Sequence, residues 1–338
     1  MSPTLCGALL CWTLTAPPAF AIESTEAQRI EAELNLSHRY GAFKAKEWVL
    51  YAAQPPELPR QSKLAFNMEP TAKAVTEFSP LGRQLLVARV PAKTAALEKG
   101  FEVKLKYQAT LHARKLVPAS AGAPAVAPLT DKEEKQYLAP TTTLDFKASS
   151  FQKWLDDQKL KRASEDEIAF AKRAYRAVTR NYAYLFDSAQ DRRVSVLCAA
   201  KKTDCAGMAA LFVAALRANN IPARVVSGRW ATSSKTGDGV LAQGHMKAEF
   251  FAPGVGWVPC DLSVGAQHDK SEEGLLHFGL DLGDFLTVHI DPDLTVDSYW
   301  FGRKNIEWLQ GVHFWVAGTG TADKGVVQET WVVKKLEK

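Results

Sequence analysis

The sequence has little of what usually announces a protein's class. No stretch is both long enough and apolar enough to cross a bilayer as a mature helix, so stable membrane insertion is not expected. There is no dense Lys/Arg block and no nucleic-acid motif, and the net charge of +5 is spread along the chain. So mild a surplus suits many partners, anionic envelope polymers among them, and selects none; no nucleic-acid partner is expected. No internal repeat is found, which removes the solenoid architectures. Charged residues are held to 23% against 46% hydrophobic ones, a balance that disordered chains do not show. Cysteine is scarce, five in 338 residues, and two of the five fall within the first eleven.

That beginning lacks something too. Leu5 to Leu14 is an apolar stretch, but no Lys or Arg precedes it. It runs into Pro17-Pro18-Ala19-Phe20-Ala21, whose small-x-small ending suits a signal peptidase. Residues 1–21 are therefore expected to be a signal peptide cleaved after Ala21, giving a periplasmic or secreted protein. Leu10 is too bulky before Cys11 for a lipoprotein site. Removing the leader leaves Cys198, Cys205 and Cys260, an odd number, so at least one thiol is free or pairs between chains. A Cys198–Cys260 disulfide is left open.

The remainder divides by composition. Residues 22 to about 47 predict a helical opening that runs into a connector. Strands follow at 48–51, 84–90 and 101–107, the last alternating apolar and polar as a half-buried strand does. Residues 117–128 are rich in Pro and Ala and read as a linker. The expected organisation is a β-rich domain over 22–140, a second domain over 145–300 and a strand-rich extension over 301–338. Ser164-Glu165-Asp166-Glu167 has the pattern of a capping box opening a helix whose apolar positions run from Ile168 to Tyr182. A second helix is predicted from about Cys205 to Ala218, ended by Asn219-Asn220 and Pro222. Strands are expected at 224–230, 246–251 and 257–261. Helices first and strands after argue α+β, with helices packed on an antiparallel sheet.

Chemistry is carried by three pieces. Thr203-Asp204-Cys205 sets a thiol at the start of a strongly apolar helix, where the helix dipole favours thiolate and free N–H groups can hold an oxyanion. Taken alone, such a cysteine is equally a buried structural one. Gly244-His245-Met246-Lys247 begins a strand at a histidine, and the period of two puts His245, Lys247 and Glu249 on one face and Met246, Ala248 and Phe250 on the other. Gly254-Val255-Gly256-Trp257-Val258-Pro259-Cys260-Asp261 makes a tight turn and a returning strand. A hairpin registered on that turn brings Asp261 beside His245, where a carboxylate would orient the imidazole. Asp281, Asp284, His289, Asp291 and Asp293 could suggest a metal, but their spacing matches no known loop. No metal and no other cofactor is expected.

Together the pieces resemble the core of the transglutaminase-like superfamily, whose fold is papain-like. The resemblance runs from about residue 165 to 263 and is most specific at Asp204-Cys205, in the helix that follows, and in its turn Arg217-Ala218-Asn219-Asn220-Ile221-Pro222-Ala223-Arg224. It implies a papain-like transglutaminase core preceded by a small antiparallel β domain. It assigns Cys205 as nucleophile, His245 as base and Asp261 as the orienting carboxylate. The implied activity is thiol-dependent acyl transfer on amide bonds, either hydrolysis or transfer to an amine, on protein, peptide or cell-envelope substrates. The alternative is a non-catalytic binding or scaffold protein that keeps the fold. Many members carry an aromatic two residues after the histidine, where this chain has Lys247. On the face of His245, Lys247 is expected to meet an acidic substrate group or to pair with Glu249, and Tyr184 is the candidate upstream aromatic that supports the oxyanion.

Overall fold

The computed structural model describes residues 19–234, 242–321 and 325–337. The apolar stretch of the expected leader lies outside the described residues. The elements in chain order are β1 (Phe20–Arg39), β2 (Lys44–Ala53), β3 (Gln61–Glu69), β4 (Lys73–Thr76), β5 (Gln84–Pro91), α1 (Ala95–Lys99) and β6 (Gly100–Pro118). Then come α2 (Asp131–Leu138), α3 (Ser149–Asp157), α4 (Glu167–Asn181), β7 (Ala183–Tyr184), α5 (Val194–Leu197), β8 (Lys202–Thr203), α6 (Cys205–Ala218), β9 (Ala223–Trp230), β10 (Gly244–Ala252) and β11 (Gly256–Cys260). The chain ends with α7 (Leu262–His268), β12 (Leu280–Asp281), β13 (Phe285–Ile290), β14 (Leu294–Asp297), β15 (Arg303–Ile306), β16 (Val312–Thr319) and β17 (Val326–Leu336).

The expected α+β class holds. The central sheet, ordered β11-β10-β9-β13, is antiparallel throughout and carries α6 on one face. α6 is more deeply placed than a one-sided apolar stripe predicts. Every residue from Ala206 to Arg217 is buried, because α4, α5 and α7 pack around the sides that the sheet leaves free. A helix apolar on all sides needs such surroundings. Burying Leu211, Phe212, Val213 and Leu216 contributes about 1.5–3 kcal/mol each. Asn220 ends the helix at φ 58°, the left-handed geometry its side chain tolerates. α4 begins two residues later than the capping-box pattern suggests, because Asp166 rather than Ser164 accepts the Ala169 amide at 2.7 Å.

Two expectations about the β region are corrected. Residues 22–47 do not open as a helix; they form β1 and the start of β2. Ile30, Ala32, Leu34 and Leu36 alternate with a period of two and are all buried, and that period overrides the helix-favouring charged residues before them. β1 is paired along its length, with β6 on one side and β17 on the other. Cleavage after Ala21 would remove only the first two residues of that ladder.

The second correction concerns the 301–338 extension. β17 pairs with β1 and β16 pairs with β2, so the end of the chain completes both sheets begun at its start. Trp48 and Trp331 share one core with Leu286 and Val288 of β13. The β region therefore cannot close its core from residues 22–140 alone. The Pro/Ala stretch after β6 runs over the surface, where Val126 pairs with Gly254 at the hairpin turn.

Candidate active site

The Cys205 thiol stands at the first position of α6 because Asp204 caps that helix. The Asp204 side chain accepts the Gly207 amide at 3.1 Å, and its carbonyl accepts the Met208 amide at 3.0 Å. Arg192, buried beside it, donates to the same carboxylate from Nε at 3.0 Å and Nη2 at 2.5 Å. The cap is thus held in place by the Arg192 guanidinium. Glycine is required at 207, since a Cβ there would lie 2.0 Å from Thr203 Oγ1. With Gly207 and Met208 occupied, the first-turn amides left to face an oxyanion are those of Cys205 and Ala206.

His245 begins β10 on the sheet face away from α6. Its neighbours Met246, Ala248 and Phe250 turn into the helical core, as the alternation predicts. Its partner across β9 is Gly228, whose Cβ would meet the Leu286 carbonyl oxygen at 1.9 Å. The missing side chain lets β13 approach and leaves room for the imidazole. Trp230 closes that room, stacking on the imidazole with centroids 4.4 Å apart and planes at 22°. Gln310 Nε2 donates to the His245 carbonyl at 2.8 Å and so fixes the backbone.

Asp261 completes the group. The β10–β11 ladder pairs Ala248 with Cys260, so one step on Asp261 lies across from Lys247 and reaches His245 on the diagonal. Its Oδ2 accepts from His245 Nε2 at 2.9 Å, and its Oδ1 caps α7 by accepting the Val264 amide at 3.1 Å. Nε2 being committed to Asp261, Nδ1 is the ring nitrogen left for the neighbouring Cys205 thiol. Burial opposes the charged imidazole, but the Asp261 carboxylate outweighs it and pushes His245 up to about 9. Burial works against the Asp261 carboxylate as well, yet His245 and Lys247 hold it below the usual range. The structure thus brings Cys205, His245 and Asp261 together.

Tyr184 lies near them. β7 pairs in parallel with β8, placing Tyr184 against Thr203, two residues before the thiol. Partial burial first, then the charges of Cys205 and Asp204, push its phenol up to about 12, so it remains a hydrogen-bond donor at neutral pH. Lys247 shares the face of His245 but does not point outward. It is only 4% exposed, so it is not a solvated surface charge. Its ammonium lies 3.4 Å from Asp281 Oδ1, 3.5 Å from Asp284 Oδ1 and 3.9 Å from Asp261 Oδ2.

Lys247 belongs to a buried charge array on this face of the sheet. Glu249 receives Arg224 at 2.8 and 2.6 Å and Arg114 at 2.6 Å, with Arg60 Nε at 3.6 Å. Arg60 also pairs with Asp281. These cations overcome the burial penalty and hold Glu249 down to about 2. Arg60 and Arg114 come from the β region, so that region is tied ionically to the strand that carries His245. The other carboxylates considered as metal ligands have internal partners. Asp291 pairs with Arg217, and Asp293 accepts from Thr141 Oγ1 and the Thr143 amide. His289 is buried and neutral, accepting the Leu309 amide on Nε2 at 3.1 Å. Cys198, Cys205 and Cys260 are all free thiols.

Trp230, Gln310 and Arg192 were not legible as site residues. Trp230 had a signal, since it is in phase with Gly228 on the strand that must pair with β10. Gln310 and Arg192 had none.

A papain-like arrangement, with a thiol on a buried helix and an imidazole and carboxylate on the adjoining sheet, is the class that fold and site define. Residues 157–262 match the model of the transglutaminase-like superfamily, and the chain carries a transglutaminase-like domain. The fold is also that of a proposed cysteine protease from Cytophaga hutchinsonii, with a TM-score of 0.52 at 12% identity over 93% of this chain and 100% of that one. The periplasmic domain of TgpA from Pseudomonas aeruginosa is similar at a TM-score of 0.35 and 13% identity, over 71% of this chain and 88% of that one. No curated protein matches the sequence.

Proposed function

We propose that this protein is a thiol acyl-transfer enzyme acting on amide bonds, with Cys205 as nucleophile, His245 as base and Asp261 as the orienting carboxylate. The observation that carries the reading is the 2.9 Å hydrogen bond from His245 Nε2 to Asp261 Oδ2, with the His245 ring set beside a thiol at a helix N-terminus. His245 takes the Cys205 proton on Nδ1, or already holds it in a thiolate–imidazolium pair, and the sulfur attacks the amide carbonyl carbon. The oxyanion is held by the Cys205 and Ala206 amides, with the Tyr184 hydroxyl as a further donor. His245 returns the proton to the departing amine as the C–N bond breaks, leaving a thioester. Water, deprotonated by His245, then releases the acid and the thiol; an amine in its place yields a new amide. Hydrolysis is the favoured outcome, on peptide or cell-envelope substrates. The residue 1–21 sequence supports a periplasmic or secreted site of action.

The test is iodoacetamide labelling of Cys205 across pH in wild type and His245→Ala. The expected result is labelling of Cys205 that is faster in wild type than in His245→Ala at neutral pH, because the imidazole activates the thiol. Equal profiles would remove the reading. A peptide-amide substrate offered with and without a primary amine then separates hydrolysis from transfer.

A further inference from the structure

The group in this site that the mechanism leaves unused is Lys247. Chains that pack around it supply charged groups from every side. Its own strand contributes His245 and Glu249, the end of β11 contributes Asp261, β12 contributes Asp281, and the turn before β13 contributes Asp284. Arg224 comes from β9, Arg114 from β6 and Arg60 from just before β3, while Cys205 stands at the start of α6. The three carboxylates near the ammonium stand differently toward it. Asp281 is also paired with Arg60, and the Asp284 Oδ1 atom is buried with Lys247 as its ion partner at 3.5 Å. The third is different. Asp261 Oδ2 is shared, with His245 Nε2 at 2.9 Å and Lys247 Nζ at 3.9 Å.

A second link runs through the aromatic wall. Lys247 Nζ lies 4.6 Å from the centre of the Trp230 ring and 5.1 Å from that of Phe285. The same two rings enclose His245, Trp230 stacked on it and Phe285 edge-on at 5.9 Å. A buried ammonium is attracted to aromatic faces, so it holds that wall in place. Lys247 therefore touches the imidazole's carboxylate and the imidazole's stacking partner at once.

Resting on the reading of His245 as the base, we propose that Lys247 is a positioning residue. Its ammonium draws on the Asp261 carboxylate and clamps Trp230, and so sets both the proton affinity and the ring plane of His245 without meeting substrate. A like charge this close opposes protonation of the imidazole, while the shared carboxylate favours it. Removing the ammonium leaves Asp261 to His245 alone.

The experiment is a histidine-ring NMR titration of the full chain carrying Cys205→Ser, in which no thiol titrates and no turnover is needed. Lys247→Met, which keeps the length of the stem, should raise the His245 midpoint by about one pH unit or more. The ring-current shift that Trp230 imposes on the His245 protons should shrink in the same variant. In the protein with Lys247 intact, the Lys247 Cε resonance should show an inflection at the His245 midpoint, a readout that requires no substitution at 247. A midpoint that stays or falls in a folded Lys247→Met protein overturns the proposal, and so does a Lys247 resonance that ignores the His245 titration. Neither result bears on Cys205, whose role stands or falls on the labelling experiment.

Discussion

Asp261→Asn isolates the electrostatic part of the site from its architecture. Asparagine has the same shape, and its side-chain oxygen can still accept the Val264 amide that starts α7. Tyr175 can still donate to the backbone carbonyl of residue 261 at 2.9 Å. What is lost is the charge facing His245. In the native protein burial works against the charged ring, and the Asp261 carboxylate, with Cys205 adding to it, lifts the imidazole from its ordinary 6.5 to about 9. At about 1.4 kcal/mol per pH unit, the lift amounts to about 3 kcal/mol of folding stability. The sign follows from its direction. A histidine whose folded value lies above its unfolded one contributes fully below pH 6.5 and loses that contribution as pH rises through about 9. The assay is urea unfolding of both proteins at pH 6 and at about pH 10, each carrying Cys205→Ser to silence the thiol. The stability gap should be wider at pH 6 than at the alkaline end. A gap that is constant with pH, or that widens toward alkali, would refute the argument that Asp261 stabilises an imidazolium.

Other expectations follow from the same geometry. Lys247→Ala should destabilise the fold by about 3–5 kcal/mol in urea, because it breaks a buried charge array from one side; a melting temperature equal to wild type would show that the ammonium is solvated. His289 is driven down to about 3 by burial and by Arg83 nearby, so it favours the neutral form, and stability should fall as pH drops from 6.5 toward 3. His289→Gln should remove about one proton, or about 1.4 kcal/mol per pH unit, from that acid slope. Trp331→Ala should cost about 3–5 kcal/mol, since a fully buried indole between β1 and the central sheet leaves a cavity. Limited proteolysis should cut first in the exposed segment 119–129, and the two fragments should co-elute on gel filtration, because β16 and β17 pair with β2 and β1 across the nick.

Much of the site was legible because the patterns that place it are local. The cap, the apolar run and the Asn-Asn-Ile-Pro stop bound α6, and Cys205 follows from the cap. The alternation in β10 and β11 sorted His245, Lys247, Glu249 and Asp261 onto one face and the core residues onto the other. The three candidate residues lie within 57 positions of one another and meet through a short hairpin and a neighbouring helix. The miss at β1 was also local. Its period of two is present from Ile30 to Leu36, within a segment of few residues.

Identity and phase were what the sequence determined by itself: which residue stands first on the helix, and which side chains share a face of the strand. Environment was decided only in three dimensions. A phase argument puts Lys247 beside His245, yet nothing in residues 244–252 shows that Arg60, Arg114 of β6 and Asp281 of β12 will close over that face. Once they do, a lysine that would be a solvated surface charge becomes a buried ion shared among three carboxylates. The closure depends on Arg60, Arg114 and Asp281, far away in sequence, and on β16 and β17 returning to the strands where the chain began. Pairings of that range are fixed by burial and charge compensation summed over the whole molecule, and no local window of sequence contains both partners.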